Sequence, residues 1–242
     1  MKFYEKLSEV YDEIFPVNPD TVSFLTEGLP SGGHILDIAC ATGGYASALA
    51  DLGYVVHALD LDEGMIRQAK GRADTTVHWL HGDMTRIHEY YAPNPFDLIY
   101  CIGNSIVHLD QKQDVLQVIS DCRKLLKPQG RLVIGVVNYN KIISNSIRSL
   151  PTLDRKEAGI SFVRHYRLDE TNNKILFETR LVEHAGGKEM YYDSSVPLLP
   201  LYEEELTAMA FQAGFSKVSL FGGFLKQAYQ PLQSASVVLE AY

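Results

Sequence analysis

Between residues 34 and 137 the chain switches repeatedly from one hydrophobic period to another. Short, nearly continuous apolar runs, "HILDIA" (34–39), "YVVHALD" (54–60), "TVHWLHGD" (76–83), "FDLIYCIG" (96–103) and "RLVIGVV" (131–137), read as strands covered on both faces. Between them, "GYASALADLG" (44–53), "EGMIRQAKGRA" (63–73) and "QKQDVLQVISDCRKLLK" (111–127) bring apolar residues round every three or four positions, as a helix does. The last of these places Val115, Val118, Ile119 and Cys122 on one face, and "PQG" predicts its stop. Repeated strand–helix units joined by right-handed crossovers predict an α/β fold: a doubly wound, mostly parallel sheet with helices on both faces.

From residue 139 to 202 the pattern becomes polar–apolar alternation, as in "FVRHYRLDE" and "KILFETRLVEHAGGKEMYYD", with "GG" supplying a hairpin turn. This predicts an antiparallel insert or lid after the fifth strand. The chain then returns to a helix, "EEELTAMAFQAGF" (203–215), and to the strands "SKVSLFG" and "SASVVLEAY", which make seven strands in the main sheet. Residues 1–30, opening with "MKFYEKLSEVYDEIF", read as a helical cap. The whole of 1–242 reads as one domain.

Composition narrows what such a domain does. At 242 residues, 46% hydrophobic and 21% charged, the chain has material for a full core. A formal charge of −8 offers no basic footprint for a phosphate backbone, so nucleic acid is not an expected partner. No run approaches the roughly 18 apolar residues of a membrane span, and the first residues lack a signal-peptide core. These features predict a soluble, cytoplasmic protein, monomeric or homodimeric. Three scattered cysteines (40, 101, 122) suit neither a disulfide framework nor zinc. The histidines of "HWLH" are poorly spaced for a metal on one strand face, so no metal is expected.

The chemistry concentrates at "HILDIACATGG" (34–44). A strand feeding a tight turn and then a helix sets backbone N–H groups at the carboxyl edge of the sheet, where open α/β sheets bind ligands. The glycine spacing of a dinucleotide site is missing: positions 39 and 41 are alanines, Gly43 and Gly44 remain, and Asp37 would repel a phosphate. The implied ligand is a nucleoside without phosphates that bears a positive or hydrogen-donating group. Asp60, ending the second strand, is placed to accept the hydroxyls of a ribose.

The run "ILDIACATGG" resembles the first motif of class I S-adenosylmethionine-dependent methyltransferases, with the common form D-x-G/A-C-G-T-G. Further motifs follow in order over residues 30 to 138. "ALDLDEGMI" resembles the acidic-loop motif, with Asp60 as the ribose acceptor and Met65 packing near the cofactor. "HGDM" resembles the adenine-binding motif, with Asp83 and Met84. "FDLIYCIGNSIVHL" is similar to the fourth strand and its loop, and "LLKPQGRLVI" to the turn before the fifth. The resemblance implies a Rossmann-like sheet, S-adenosylmethionine as cofactor (S-adenosylhomocysteine as product), and cofactor contacts from Tyr11, Asp37, Ala39, Gly43, Asp60, Leu61, Met65, Asp83, Met84, Ile102 and Gly103.

"CIGNSIVHL" and the later "NY" are similar to glycine/sarcosine N-methyltransferases, and the insert with the 203–215 helix to sugar-amine N-methyltransferases. This resemblance implies a small-molecule acceptor, with an amine nitrogen as the methylated atom and a hydroxyl as the alternative. The acceptor site is expected from Tyr4, Gly103, Asn104, Asn138, Tyr139 and Tyr166, and the catalytic groups from Tyr11, Asn104 and His108. Where the glycine/sarcosine enzymes carry a carboxylate-gripping arginine, this chain has Val137, which predicts that glycine and sarcosine are poor acceptors. A binding or regulatory module that keeps the cofactor pocket without transfer is the competing reading. Cys40 reads as a small packed residue.

Overall fold

The computed structural model describes residues 2–72 and 76–242. Its elements run α1 (Lys2–Ile14), α2 (Pro19–Thr26), β1 (His34–Ile38), α3 (Gly44–Asp51), β2 (Val55–Asp60), α4 (Glu63–Lys70), β3 (His78–His81), α5 (Ile87–Tyr90), β4 (Phe96–Cys101), α6 (Lys112–Leu125) and β5 (Leu126–Val137). There follow α7 (Tyr139–Ser144), β6 (Ser149–Arg155), β7 (Ile160–Asp169), β8 (Lys174–Ala185), β9 (Lys188–Leu198), α8 (Glu203–Gln212), β10 (Val218–Phe221) and β11 (Ser236–Ala241). No helix among the described residues is long and apolar enough to cross a membrane.

Seven strands form one sheet in the order β10-β11-β5-β4-β1-β2-β3. The pairs β1–β2, β1–β4, β2–β3 and β4–β5 are parallel, and β11 runs antiparallel to both β5 and β10. Because side chains alternate across a strand, the two faces feed separate clusters. Leu36, Ile38, Leu59, Ile99, Leu132 and Ile134 pack on one side, while Ile35, Val56, Ala58, Leu98 and Val133 pack on the other. Burial on both faces explains why the strands read as continuous apolar runs.

β5 begins earlier than the sequence predicted, at Leu126 rather than Arg131. Leu126 pairs with Phe96, and a register shift before Leu98 absorbs the extra residues of "KPQG". Gly130 fits there because a Cβ would stand 3.0 Å from the Phe96 carbonyl oxygen. The helix predicted over 63–73 is formed from Glu63 to Lys70, and Ala73 lies outside the described residues.

β6 to β9 form a second, antiparallel four-stranded sheet. Gly186 and Gly187, at φ of 59° and 75°, make the β8–β9 turn with the backbone signs that an L residue resists. α1 joins the two sheets. Lys6 pairs with Glu183 of β8 at 2.8 Å, and Arg155 of β6 donates to the carbonyls of Glu13 and Ile14 at 2.7 and 3.1 Å, supplying partners for orphan groups at the helix C-terminus. On the other side Asp12 accepts from Thr42 Oγ1 at 2.6 Å and pairs with Arg72, whose Nε donates to the Thr42 carbonyl.

Candidate active site

The carboxyl edge of β1 opens into a loop in an uncommon conformation. Ala39 and Ala41 both have positive φ, 61° and 49°, as has Gly43 at 78°. A left-handed alanine costs on the order of 1 kcal/mol, so surrounding bonds must hold the loop. They do. Cys40 N–H donates to the Leu59 carbonyl at 3.0 Å, and Ala41 N–H donates to Asp60 Oδ2 at 2.8 Å. Asp60 Oδ1 accepts from Asp62 N–H at 2.9 Å. The carboxylate thus binds its own loop and the neighbouring one, and still faces a cavity. Burial pushes its pKa up, opposed by those N–H bonds.

Two adjoining cavities, of about 470 and 510 Å³, share Tyr11, Phe15, Ala39, Ala41 and Gly103 as their common wall. The first is lined by Tyr4, Asp60, Leu61, Met65, Asp83, Met84 and His108 among others. Leu61 is 67% exposed on a cavity wall, which leaves an apolar surface for a flat ligand to cover. Asp83 Oδ1 caps the following turn by accepting from Thr85 N–H at 2.8 Å. His108 stands on the cavity wall, and desolvation lowers its pKa.

The second cavity is lined by Asp37, Ile102, Gly103 and Asn104, with Val137 and Phe224 opposite. Asp37 is 3% exposed and accepts a hydrogen bond from Tyr100 Oη at 2.7 Å. Burial pushes its pKa up to about 8, against the pull of that hydrogen bond and helped by the charge of Asp60. A ligand cation in this cavity would bring the carboxyl back to its ionised form.

Four predicted site residues stand elsewhere. Gly43 lines neither cavity: a Cβ there would lie 2.2 Å from the Trp79 ring, so it is glycine to let that indole pack. Asn138 is buried, donating to the Pro231 and Ser234 carbonyls at 2.7 and 2.9 Å and accepting from Tyr229 Oη; it pins the 222–235 loop. Tyr139 is fully buried, and Tyr166 is buried against Phe177. Neither reaches a cavity wall.

Asn104 does reach one, in a left-handed conformation (φ 70°) that asparagine tolerates. Its Oδ1 accepts from Val137 N–H at 3.0 Å and its Nδ2 donates to Tyr139 Oη at 3.1 Å. These bonds hold the β4 loop to the end of β5. Sequence reasoning missed the roof of the first cavity, contributed by Phe162, Phe177, Thr179, Ser194 and Val196 of the insert sheet. Their inward alternation was the available signal. Among the described residues no group of three or more histidine, cysteine or acidic side chains is arranged to hold a metal.

Comparison with known proteins shows what this chain is similar to. Residues 35–130 match the model of a methyltransferase domain. The YqeM protein of Bacillus subtilis (strain 168) is 31% identical over 143 residues, 57% of each chain, so the match spans just over half of that relative. The glycine/sarcosine N-methyltransferase of Aphanothece halophytica is 22% identical over 95% of this chain and 85% of its own. Among solved structures, the CcbJ methyltransferase of Streptomyces caelestis superposes with a TM-score of 0.81 at 18% identity, over 99% of this chain and 97% of the other. The amino pentose methyltransferase CalS10 of Micromonospora echinaspora gives 0.71 at 17% identity, over 96% and 95%. These two likenesses establish the fold. Through residues 35–130, the chain is similar to the methyltransferase-domain family.

Proposed function

We propose that this protein is a cytoplasmic, S-adenosylmethionine-dependent methyltransferase acting on the amine nitrogen of a small molecule, as a monomer or homodimer and without nucleic acid or metal. The observation that carries the reading is Asp60: a carboxylate fixed by two backbone N–H groups at the end of β2, facing a cavity walled by Leu61, Met65, Asp83 and Met84. That set suits a nucleoside. Asp60 accepts the ribose hydroxyls, Asp83 accepts the base's amino group, and the apolar side chains cover its faces. Bound there, the cofactor supplies an activated methyl group on a sulfonium.

The chain's own residues then have to align the acceptor with that methyl group, exclude water and receive a proton. Alignment supplies much of the rate in such an in-line displacement. Asp37 suits the ammonium end of the cofactor, and the rings of Tyr4 and Tyr11 suit a cationic sulfonium. Gly103 and Asn104 hold the β4 loop where the acceptor nitrogen must approach. Relatives that act on amines, the glycine/sarcosine and amino pentose enzymes, favour nitrogen as the accepting atom.

A second reading, transfer to oxygen, is favoured by His108, whose imidazole lines the first cavity and is suited to take a hydroxyl proton. The deciding experiment pairs calorimetry of S-adenosylhomocysteine binding with a methyl-transfer assay over small amines, amino sugars and phenols. Tight binding with turnover of amines supports the proposal, turnover confined to phenols supports the second reading, and absence of binding refutes both.

A further inference from the structure

Five aromatic rings make one continuous wall of the first cavity. Tyr4 meets Phe3 edge to face at a centroid distance of 5.3 Å, and Phe3 meets Phe162 at 6.4 Å. Phe162 in turn meets Phe15 at 5.8 Å, and Phe15 meets Tyr11 at 5.0 Å. All five line the cavity. Four come from α1 and the residue that follows it and one from β7, so the wall exists only where the helix packs against the insert sheet. Tyr11 and Phe15 also line the second cavity, which carries the wall to the junction of the two. Phe177 and Val196 continue the apolar cover across the roof, where the Tyr166 ring backs Phe177 at 5.4 Å.

The charges around this wall are of one sign. Asp60, Asp62 and Asp83 line the first cavity, and among the described residues no lysine or arginine lines either cavity. His108 is the one imidazole on these walls, and desolvation works against its charge. A ligand carboxylate or phosphate in the first cavity would therefore give up its hydration, gain no counter-charge and face three acids. Thr179 adds a polar point to the roof. It is 7% exposed and lines the cavity, and among the described residues its hydroxyl has no hydrogen-bond partner. A buried hydroxyl in that position is left for a ligand to bond.

We infer that the methyl acceptor is an apolar amine with no anionic group, lodged between the aromatic wall and the insert roof and bonded by the Thr179 hydroxyl. Ring faces both cover an apolar body and attract an ammonium group, so they suit the amine in either protonation state. The acids exclude its carboxylated analogue. The nucleoside contacts, Asp60, Leu61, Met65, Asp83 and Met84, all lie at the edge of the main sheet, which leaves the wall and the roof to a second molecule. The inference rests on the methyl-transfer reading only in naming that second molecule as the acceptor.

The test is calorimetry on protein saturated with S-adenosylhomocysteine and titrated with phenylethylamine against phenylalanine, pentylamine against 6-aminohexanoate, and glucosamine as a polar amine. Within each pair the two ligands differ by a carboxylate alone. At least one apolar amine is expected to bind about tenfold or more tightly than its acid, the scale of leaving a charge buried without a partner, and more tightly than glucosamine. Thr179→Val, which keeps the shape and removes the hydroxyl, should weaken amine binding about three- to tenfold and leave S-adenosylhomocysteine affinity unchanged. Ser194→Lys, which sets a cation on the roof, should cut the preference for amine over acid by about threefold or more. Equal or tighter binding of the acids, glucosamine preferred to both apolar amines, amine affinity untouched by Thr179→Val, or no binding of either apolar amine overturns the inference. Failure of S-adenosylhomocysteine itself to bind would strike the methyl-transfer reading instead, and the same titrations on the unliganded protein would still decide the amine site.

Discussion

Asp60 Oδ2 accepts the backbone N–H of Ala41 at 2.8 Å, so the acid that ends β2 also holds the left-handed loop that ends β1. One carboxylate therefore serves both the shape of the site and its ligand.

Asp60→Ala should weaken S-adenosylmethionine binding by about 1.5–3 kcal/mol, the cost of a lost charge-assisted hydrogen bond. Asp60→Asn, which keeps one acceptor oxygen for Ala41, should lose less. Calorimetry on both variants checks the order, and equal affinity for wild type and Asp60→Ala would remove Asp60 from the site.

Gly43→Ala should lower stability through two effects that add: the Trp79 ring 2.2 Å from the new Cβ and a φ of 78°. Together they are expected to cost about 2–4 kcal/mol. In the double variant with Trp79→Ala the steric part disappears, so Gly43→Ala on that background should cost only about 1 kcal/mol. Thermal melts of the four proteins complete the cycle.

Asp37 gives stability a definite pH dependence. Its native pKa, about 8, lies above the unfolded value near 3.8, so between those values the unfolded chain has lost the proton that the native state keeps. The unliganded protein should lose stability as pH rises from about 4 to 8, and Asp37→Asn should flatten that slope in denaturant titrations. Binding of a cationic ligand should release a proton near pH 7, seen by calorimetry in buffers of different ionisation enthalpy. Asp37→Asn should abolish the release.

His108→Gln discriminates the accepting atom. With an amine acceptor, which loses its proton to water, kcat should fall less than about tenfold. A fall of about 10²–10⁴, the worth of general-base catalysis, would identify a hydroxyl acceptor instead. Single-turnover methyl transfer at saturating cofactor measures it.

Most of the main sheet was legible in the sequence because its signals are local. Burial on both faces makes β1, β2, β4 and β5 continuous apolar runs, and "GG" demands a turn whatever surrounds it. The order of Asp37, Asp60 and Asp83 at successive strand ends likewise needs no long-range knowledge. What only the tertiary structure decided depends on which distant residues meet. Gly43 serves Trp79, 36 positions away, and Asn138 serves a loop more than 90 positions away. The pairing of Thr179 with Ser194 in the roof of the first cavity exists only through the register of β8 and β9. A serine or threonine in an alternating strand looks the same in sequence whether it faces water or a roofed cavity, because alternation specifies a face and only packing specifies what covers it.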